Sequence, residues 1–153
     1  MPKRKLMPDV VKGQELACVP PSATVRAAVR LMAERHISAI LVTEDGRLKG
    51  IFTERDLAAK VVAQSRDVDA TLISAVMTAN PDTLPPDATA LEALDLMESR
   101  HYRHMPLASA DGVALGMVSI RDLFPVVRAS LEEEIKDREA FMFGASYSAG
   151  ASA

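Results

Sequence analysis

A chain of 153 residues can bury one substantial core, or two small ones packed against each other. Its 48% hydrophobic and 25% charged content is ordinary for a globular protein, and its net charge of -3 argues against a dedicated nucleic-acid binder. No stretch reaches the roughly 18 apolar residues of a membrane-spanning helix, so no membrane partner is expected.

The N-terminus carries the only basic cluster, Lys3, Arg4 and Lys5, which reads as a solvated tail. No apolar run follows it, so it is not a secretory signal. The single cysteine, Cys18, cannot form an intrachain disulfide and lies in the apolar run Leu16-Ala17-Cys18-Val19, where a small buried thiol is the natural reading. Together these features point to a reducing, cytoplasmic compartment.

Pro20-Pro21 closes that run, and Thr24 stands where a helix N-cap belongs. Apolar residues at helical spacing follow, namely Val25, Ala28, Val29 and Met32. Residues 37–43, rich in branched apolar side chains, predict a strand. Asp45-Gly46 predicts a turn with positive φ, and residues 47–52 the returning strand. A second helix is predicted to start at Thr53. Residues 63–72 are polar and aperiodic and read as a linker, and residues 73–77 open a second unit.

That second unit repeats the first. With a shift of 65, residues 19–42 lie over 84–107, and nine of the 24 pairs are identical, including Pro20/Pro85, Thr24/Thr89, Met32/Met97 and His36/His101. One added loop residue makes the shift 66, and six of 13 pairs then match between residues 45–57 and 111–123. Such self-similarity marks a duplication. Thr89 and Glu92 have capping-box spacing, and Ala90, Ala93, Leu94 and Met97 form the second stripe. Residues 105–108 and 113–118 predict the second strand pair, and Ser119 the start of its last helix. Pro125, just past the first turn of that helix, removes one backbone hydrogen bond. Residues 131–143 predict a separate charged helix, and the small polar residues after Tyr147 a disordered tail.

The expected fold is therefore α/β (α+β), two β-α-β-β-α units packed through their sheets. The divisions are residues 1–62, a linker at 63–72, residues 73–130, and a C-terminal helix and tail at 131–153.

The chemistry concentrates in Gly50-Ile51-Phe52-Thr53-Glu54-Arg55-Asp56, echoed by Gly116-Met117-Val118-Ser119-Ile120-Arg121-Asp122. A strand delivers a hydroxyl, and a carboxylate follows three residues later. The pattern suffices as a helix cap with no ligand. The same geometry also suits a nucleotide, because a helix start attracts phosphate and a carboxylate can accept hydrogen bonds from both ribose hydroxyls.

Gly-x-x-Thr/Ser-x-x-Asp closing a β-α-β-β-α unit, present twice, resembles the CBS-domain family, named after cystathionine β-synthase. The resemblance covers roughly residues 10–127, and the helix at 131–143 resembles the extra helix of short stand-alone members. It implies a pseudo-twofold pair of repeats, with AMP, ADP, ATP, an NAD-type dinucleotide or another adenosyl compound in the clefts between them. It further implies that Asp56 and Asp122 hold ribose and that Thr53 and Ser119 lie near phosphate, with Arg55 and Arg121 before each aspartate. Ala39, Ile40 and Leu41, and His104, Met105 and Pro106, would flank adenine, as would the edges Val19-Pro20 and Thr83-Leu84. Ile40-Leu41 departs from the apolar-Pro dipeptide that Met105-Pro106 retains. Arg103 and His104, replaced by Ser38 and Ala39 in the first copy, are the expected phosphate donors of one cleft, shared with an aspartate that the sequence alone does not identify.

His101 and His104 near Glu98 lack the ligand set of a zinc site, so no metal is expected, and no catalytic cofactor. No nucleophile-base set, Walker loop or Gly-x-Gly-x-x-Gly is present. The expected function is a non-enzymatic regulatory sensor that binds an adenine nucleotide. The alternative is an interaction or scaffold protein of the same fold without a ligand. A homodimer is expected to bury the ends of the second helices, at Val61, Val62, Leu123, Val126 and Val127.

Overall fold

The computed structural model describes residues 4–11 and 15–151. An irregular turn at Leu6–Val10 precedes strand β1 (Cys18–Val19), helix α1 (Val25–Glu34) and strands β2 (Ala39–Glu44) and β3 (Arg47–Thr53). Helix α2 follows as one α-helical turn, Glu54–Asp56, that widens into a π-helical stretch, Leu57–Val62. The second copy comprises α3 (Ile73–Val76), β4 (Thr78–Ala79), α4 (Ala90–Arg100), β5 (His104–Ala108), β6 (Ala114–Ser119) and α5 (Ile120–Ala151).

The duplication survives in the hydrogen bonding. Val19 pairs in parallel with Val42, and at the same offset of 65 Leu84 bridges Leu107 in parallel. Strands β1-β2-β3-β4 form one sheet, and β5-β6 a second. Asp45 and Gly46 both have positive φ in the β2–β3 turn, as the sequence requires. Helices α1 and α2 cover one face of the first sheet, burying Val25, Ala28, Met32 and Val61 against Ile40, Val42 and Phe52. Helices α4 and α5 do the same in the second half, with Ala93, Met97 and Leu123 on Met105, Leu107 and Val118. The opposite sheet faces meet in a seam of Ala39, Leu41, Ile51 and Ala114. The α/β architecture of two sheets packed face to face is thus the one expected.

Each copy's opening segment docks on the other copy. Leu6, wholly buried, packs in the core of α4 and α5, while Ile73 packs in that of α1 and α2. The bonds match one for one: Leu6 N to Ala88 O (2.8 Å) answers Ile73 N to Ala23 O (2.8 Å), and Met7 N to Pro86 O (2.9 Å) answers Ser74 N to Pro21 O (3.2 Å). These segments also complete the helix starts. The first amides of α1 go to Thr71 O, Val68 O and the Thr24 hydroxyl. In α4 the Ala90 amide goes to Arg4 O, and the Thr89 hydroxyl of the Thr89–Glu92 capping box takes that of Glu92.

Four expectations change here. Arg4 and Lys5 are not a solvated tail: Arg4 caps α4 through its carbonyl, its guanidinium lies 3.7 Å from Glu133, and Lys5 bridges Thr89. Lys3 lies outside the described residues. The helix at 131–143 is not separate, because α5 runs unbroken through Pro125, supported by the i,i+4 pairs Arg128–Glu132 and Glu134–Arg138. No breaker lies between Pro125 and Gly144. Its backbone stays helical past Tyr147 to Ala151, where a disordered tail is expected. Finally, Val61 and Leu123 are fully buried and Val126 and Val127 pack on the second core, so only Val62 of that expected interface is exposed.

Candidate functional site

Both motifs fold as capping boxes. The Thr53 amide and hydroxyl donate to Asp56 Oδ2 at 3.0 and 3.2 Å, and the Asp56 amide returns a bond to Thr53 Oγ1 at 3.2 Å. Ser119 and Asp122 repeat this at 2.8, 2.9 and 3.3 Å. Strand and helix are thereby locked together, with the carboxylate fixed at the helix start.

The two aspartates differ in setting. Asp56 is buried, and its second oxygen, Oδ1, lies 3.1 Å from Lys60 Nζ. Asp122 is exposed, and Val126 stands where Lys60 stands in the first copy.

Asp56 faces a cleft of about 350 Å³ between the halves. This volume is in the lower range for small-molecule sites. The first copy contributes Ser38, Ile51, Thr53, Glu54, Arg55 and Asp56, and the second Arg103, His104, Met105 and Pro106. The structure thus settles which aspartate shares a cleft with Arg103 and His104: it is Asp56, from the opposite copy. The crossing arises because β5 starts beside the start of α2.

The helix starts are wired into the strands. Glu54 N donates to Ser38 O at 3.0 Å, and Ile120 N to Arg103 O at 2.9 Å. With Asp56 N held by Thr53, two of the first amides of α2 are already used. A phosphate here would depend on side-chain cations, chiefly Arg55 and Arg103, rather than on the helix amides named from sequence.

His104 Nε2 lies 2.9 Å from Ser38 Oγ. Burial pushes its pKa below the ordinary value, outweighing the opposing fields of Asp122 and Glu54. His104 therefore enters the site as a neutral group at pH 7, which leaves the guanidinium groups of Arg55 and Arg103 as the cations of the cleft.

Sequence reasoning missed the far wall, made by Thr78, Pro81, Asp82 and Tyr102. Asp82 accepts from Tyr102 Oη at 2.8 Å and pairs with Arg100. The Tyr102 hydroxyl and the Arg100 guanidinium hold its carboxyl below the usual range. No motif flags this cluster, though Asp82 precedes Thr83-Leu84. His101 also lines the cleft; like His36 it has positive φ, here at the C-cap of α4, which gives the repeated histidine a backbone role.

The remaining predicted residues lie elsewhere. Ile40 and Val19 are in the first core, and Ala39 and Leu41 are fully buried in the seam. Pro20 and Thr83 are exposed at strand edges, and Leu84 pairs with Leu107. Ser119, Arg121 and Asp122 mark the pseudo-symmetric position in the second copy. Among the described residues no cluster of His, Cys, Asp and Glu suits a metal ion, and no helix is long and apolar enough to cross a membrane.

The sequence pattern of the CBS domain matches residues 7–63 and again 73–129. The chain belongs to the CBS-domain family. Among curated relatives, the CBS domain-containing protein CBSCBSPB5 of Arabidopsis thaliana is 35% identical over 123 residues, 80% of this chain and 22% of that protein. The chain spans about a fifth of the length of the first curated relatives it matches. A solved protein with CBS domains from Burkholderia ambifaria MC40-6 superposes with a TM-score of 0.72 at 37% identity, covering 77% of this chain and 86% of that one. CBSX2, solved in complex with AMP, superposes with a TM-score of 0.65 at 25% identity, covering 80% and 92%. The tandem CBS fold is thereby shared with experimentally solved pairs.

Proposed function

We propose that this CBS pair is a non-catalytic regulatory module that binds an adenine nucleotide in the cleft between Asp56 and Arg103. The observation that carries this reading is the convergence, in one cleft, of a fixed carboxylate from one copy and a guanidinium from the other. Asp56 would accept the ribose hydroxyls at Oδ1, with Thr53, Arg55 and Arg103 toward phosphate. Met105, Pro106 and Ile51 supply apolar surface for the base, and His104 a neutral hydrogen-bonding edge. In the second cleft, Asp122, Ser119 and Arg121 would play the same parts beside Ala39, Ile40 and Leu41. The edges Val19-Pro20 and Thr83-Leu84 would close the two base pockets. That CBSX2 was solved with AMP supports this class of ligand. We also propose a cytoplasmic homodimer as the working form.

One observation favours a second reading, an interaction module without nucleotide. Asp56 is already engaged by Thr53 and Lys60, so its carboxylate is stabilised without any ligand. Calorimetric titration with AMP, ATP and NADH decides between the readings, and chromatography of each mixture after incubation tests for turnover. Saturable binding with intact nucleotide is expected. No binding of any of the three favours the interaction module, and conversion of any one of them makes the protein an enzyme.

A further inference from the structure

Lys60 distinguishes the first cleft from its pseudo-symmetric counterpart. It lies on the π-helical part of α2, four residues past Asp56, and Val126 holds the same position in the second copy. Its Nζ stands 3.1 Å from Asp56 Oδ1 and 3.5 Å from Thr78 Oγ1, and both of those residues line the cleft. The ammonium thus sits at the cleft edge, beside the carboxylate oxygen that a ribose would use.

A carboxylate offers about four acceptor positions, two on each oxygen. On Asp56, Oδ2 takes both of its bonds from Thr53, the amide at 3.0 Å and the hydroxyl at 3.2 Å. Lys60 occupies one position on Oδ1, so a single acceptor position remains. A ribose edge presents two neighbouring hydroxyls, and the second of them finds no acceptor left on Asp56. Lys60, on the same oxygen, can only donate, and it is placed to serve the oxygen of that second hydroxyl. In the other copy Ser119 fills Asp122 Oδ2 in the same way, but Val126 has no donor to offer Oδ1.

We propose that the two ribose hydroxyls are read by different residues, one donating to Asp56 Oδ1 and the other accepting from Lys60 Nζ. Resting on the nucleotide reading above, this divides its ribose contact and makes Lys60 a specificity-determining residue. The hydroxyl at Asp56 must keep its proton, whereas the one at Lys60 needs only a lone pair. The cleft therefore takes adenine nucleotides etherified on one ribose oxygen and refuses those etherified on the other. The Lys60 side chain is 43% exposed, which leaves room for a small substituent on its side.

The test is calorimetric titration of AMP, 2′-O-methyl-AMP and 3′-O-methyl-AMP into the parent, Lys60→Met and Lys60→Arg proteins. The parent should bind one ether nearly as tightly as AMP and the other about tenfold more weakly, the loss of a hydrogen bond to a charged group. Lys60→Met should bind both ethers about tenfold more weakly than AMP, because both hydroxyls must then donate to Asp56. Lys60→Arg, which keeps a donor, should retain the parental pattern. If the parent binds AMP but refuses both ethers or accepts both, or if the tolerance survives in Lys60→Met, the division is wrong and the nucleotide reading stands. A parent that binds no AMP overturns the nucleotide reading, and the division with it.

Discussion

Ser38 Oγ and His104 Nε2 meet at 2.9 Å across the two halves of the pair, joining the start of β2 to the start of β5. The contact breaks the pseudo-symmetry, because the positions related to Ser38 and His104 hold Arg103 and Ala39. Burial favours the neutral imidazole, so the folded-state pKa lies below the unfolded one. The unfolded chain then binds more protons at low pH. The stability contributed by neutral His104 is present above about pH 6.5 and is lost as the pH falls through and below that value. Urea unfolding at pH 7.5 and pH 5.5 should show this loss, and His104→Gln should reduce it. An unchanged pH dependence in the variant would place the responsible group elsewhere.

Ser38→Ala removes the partner of a largely buried ring nitrogen. The expected destabilisation at pH 7.5 is about 1 kcal/mol, read as a lower urea midpoint at unchanged slope.

The exchange of opening segments makes the N-terminus a structural part of the second half. Leu6→Ala should cost about 2–5 kcal/mol, the range for emptying a buried leucine site. Amide exchange should quicken in α4 and the first turns of α5 more than in α1. Uniform loosening of both halves would contradict the exchange.

Gly50 sits where β3 meets β4. A Cβ there would press into the Met77 sulfur and lie 2.9 Å from the Thr78 carbonyl. Gly50→Ala should therefore destabilise by about 1–3 kcal/mol. Because Thr78 also lines the cleft, ligand affinity should fall with it. Thermal melts and titrations of the same sample check both effects.

The fold was legible because the duplication repeats its own punctuation: Thr24 and Thr89 at the caps, Asp45-Gly46 at the turn, His36 and His101 at the helix ends. The hydroxyl-carboxylate motifs were legible for the same reason. The exchange of opening segments was not, since Leu6 and Ile73 carry no mark of which half they serve. Nor was the pairing of Asp56 with Arg103, which depends on how two sheets face each other. Arg4 and Lys5 read as a tail because charge predicts exposure of side chains, whereas it is the Arg4 carbonyl that caps α4. No glycine or proline lies between Pro125 and Gly144, so the single long α5 follows from the absence of a breaker rather than from any motif.

In the proposed function Asp56 and Arg103, from opposite copies, serve one nucleotide. Calorimetric titration of AMP and adenosine into the parent, Asp56→Ala and Arg103→Ala proteins tests that pairing. The parent should prefer AMP by about tenfold or more, since one charge-assisted hydrogen bond is worth about 1.5–3 kcal/mol. Arg103→Ala should erase most of that preference while leaving adenosine binding nearly unchanged. Asp56→Ala should weaken both ligands, with about 1 kcal/mol of fold stability lost with the cap. Equal affinities for AMP and adenosine in the parent, or an Asp56→Ala protein that binds like the parent, would contradict the claim.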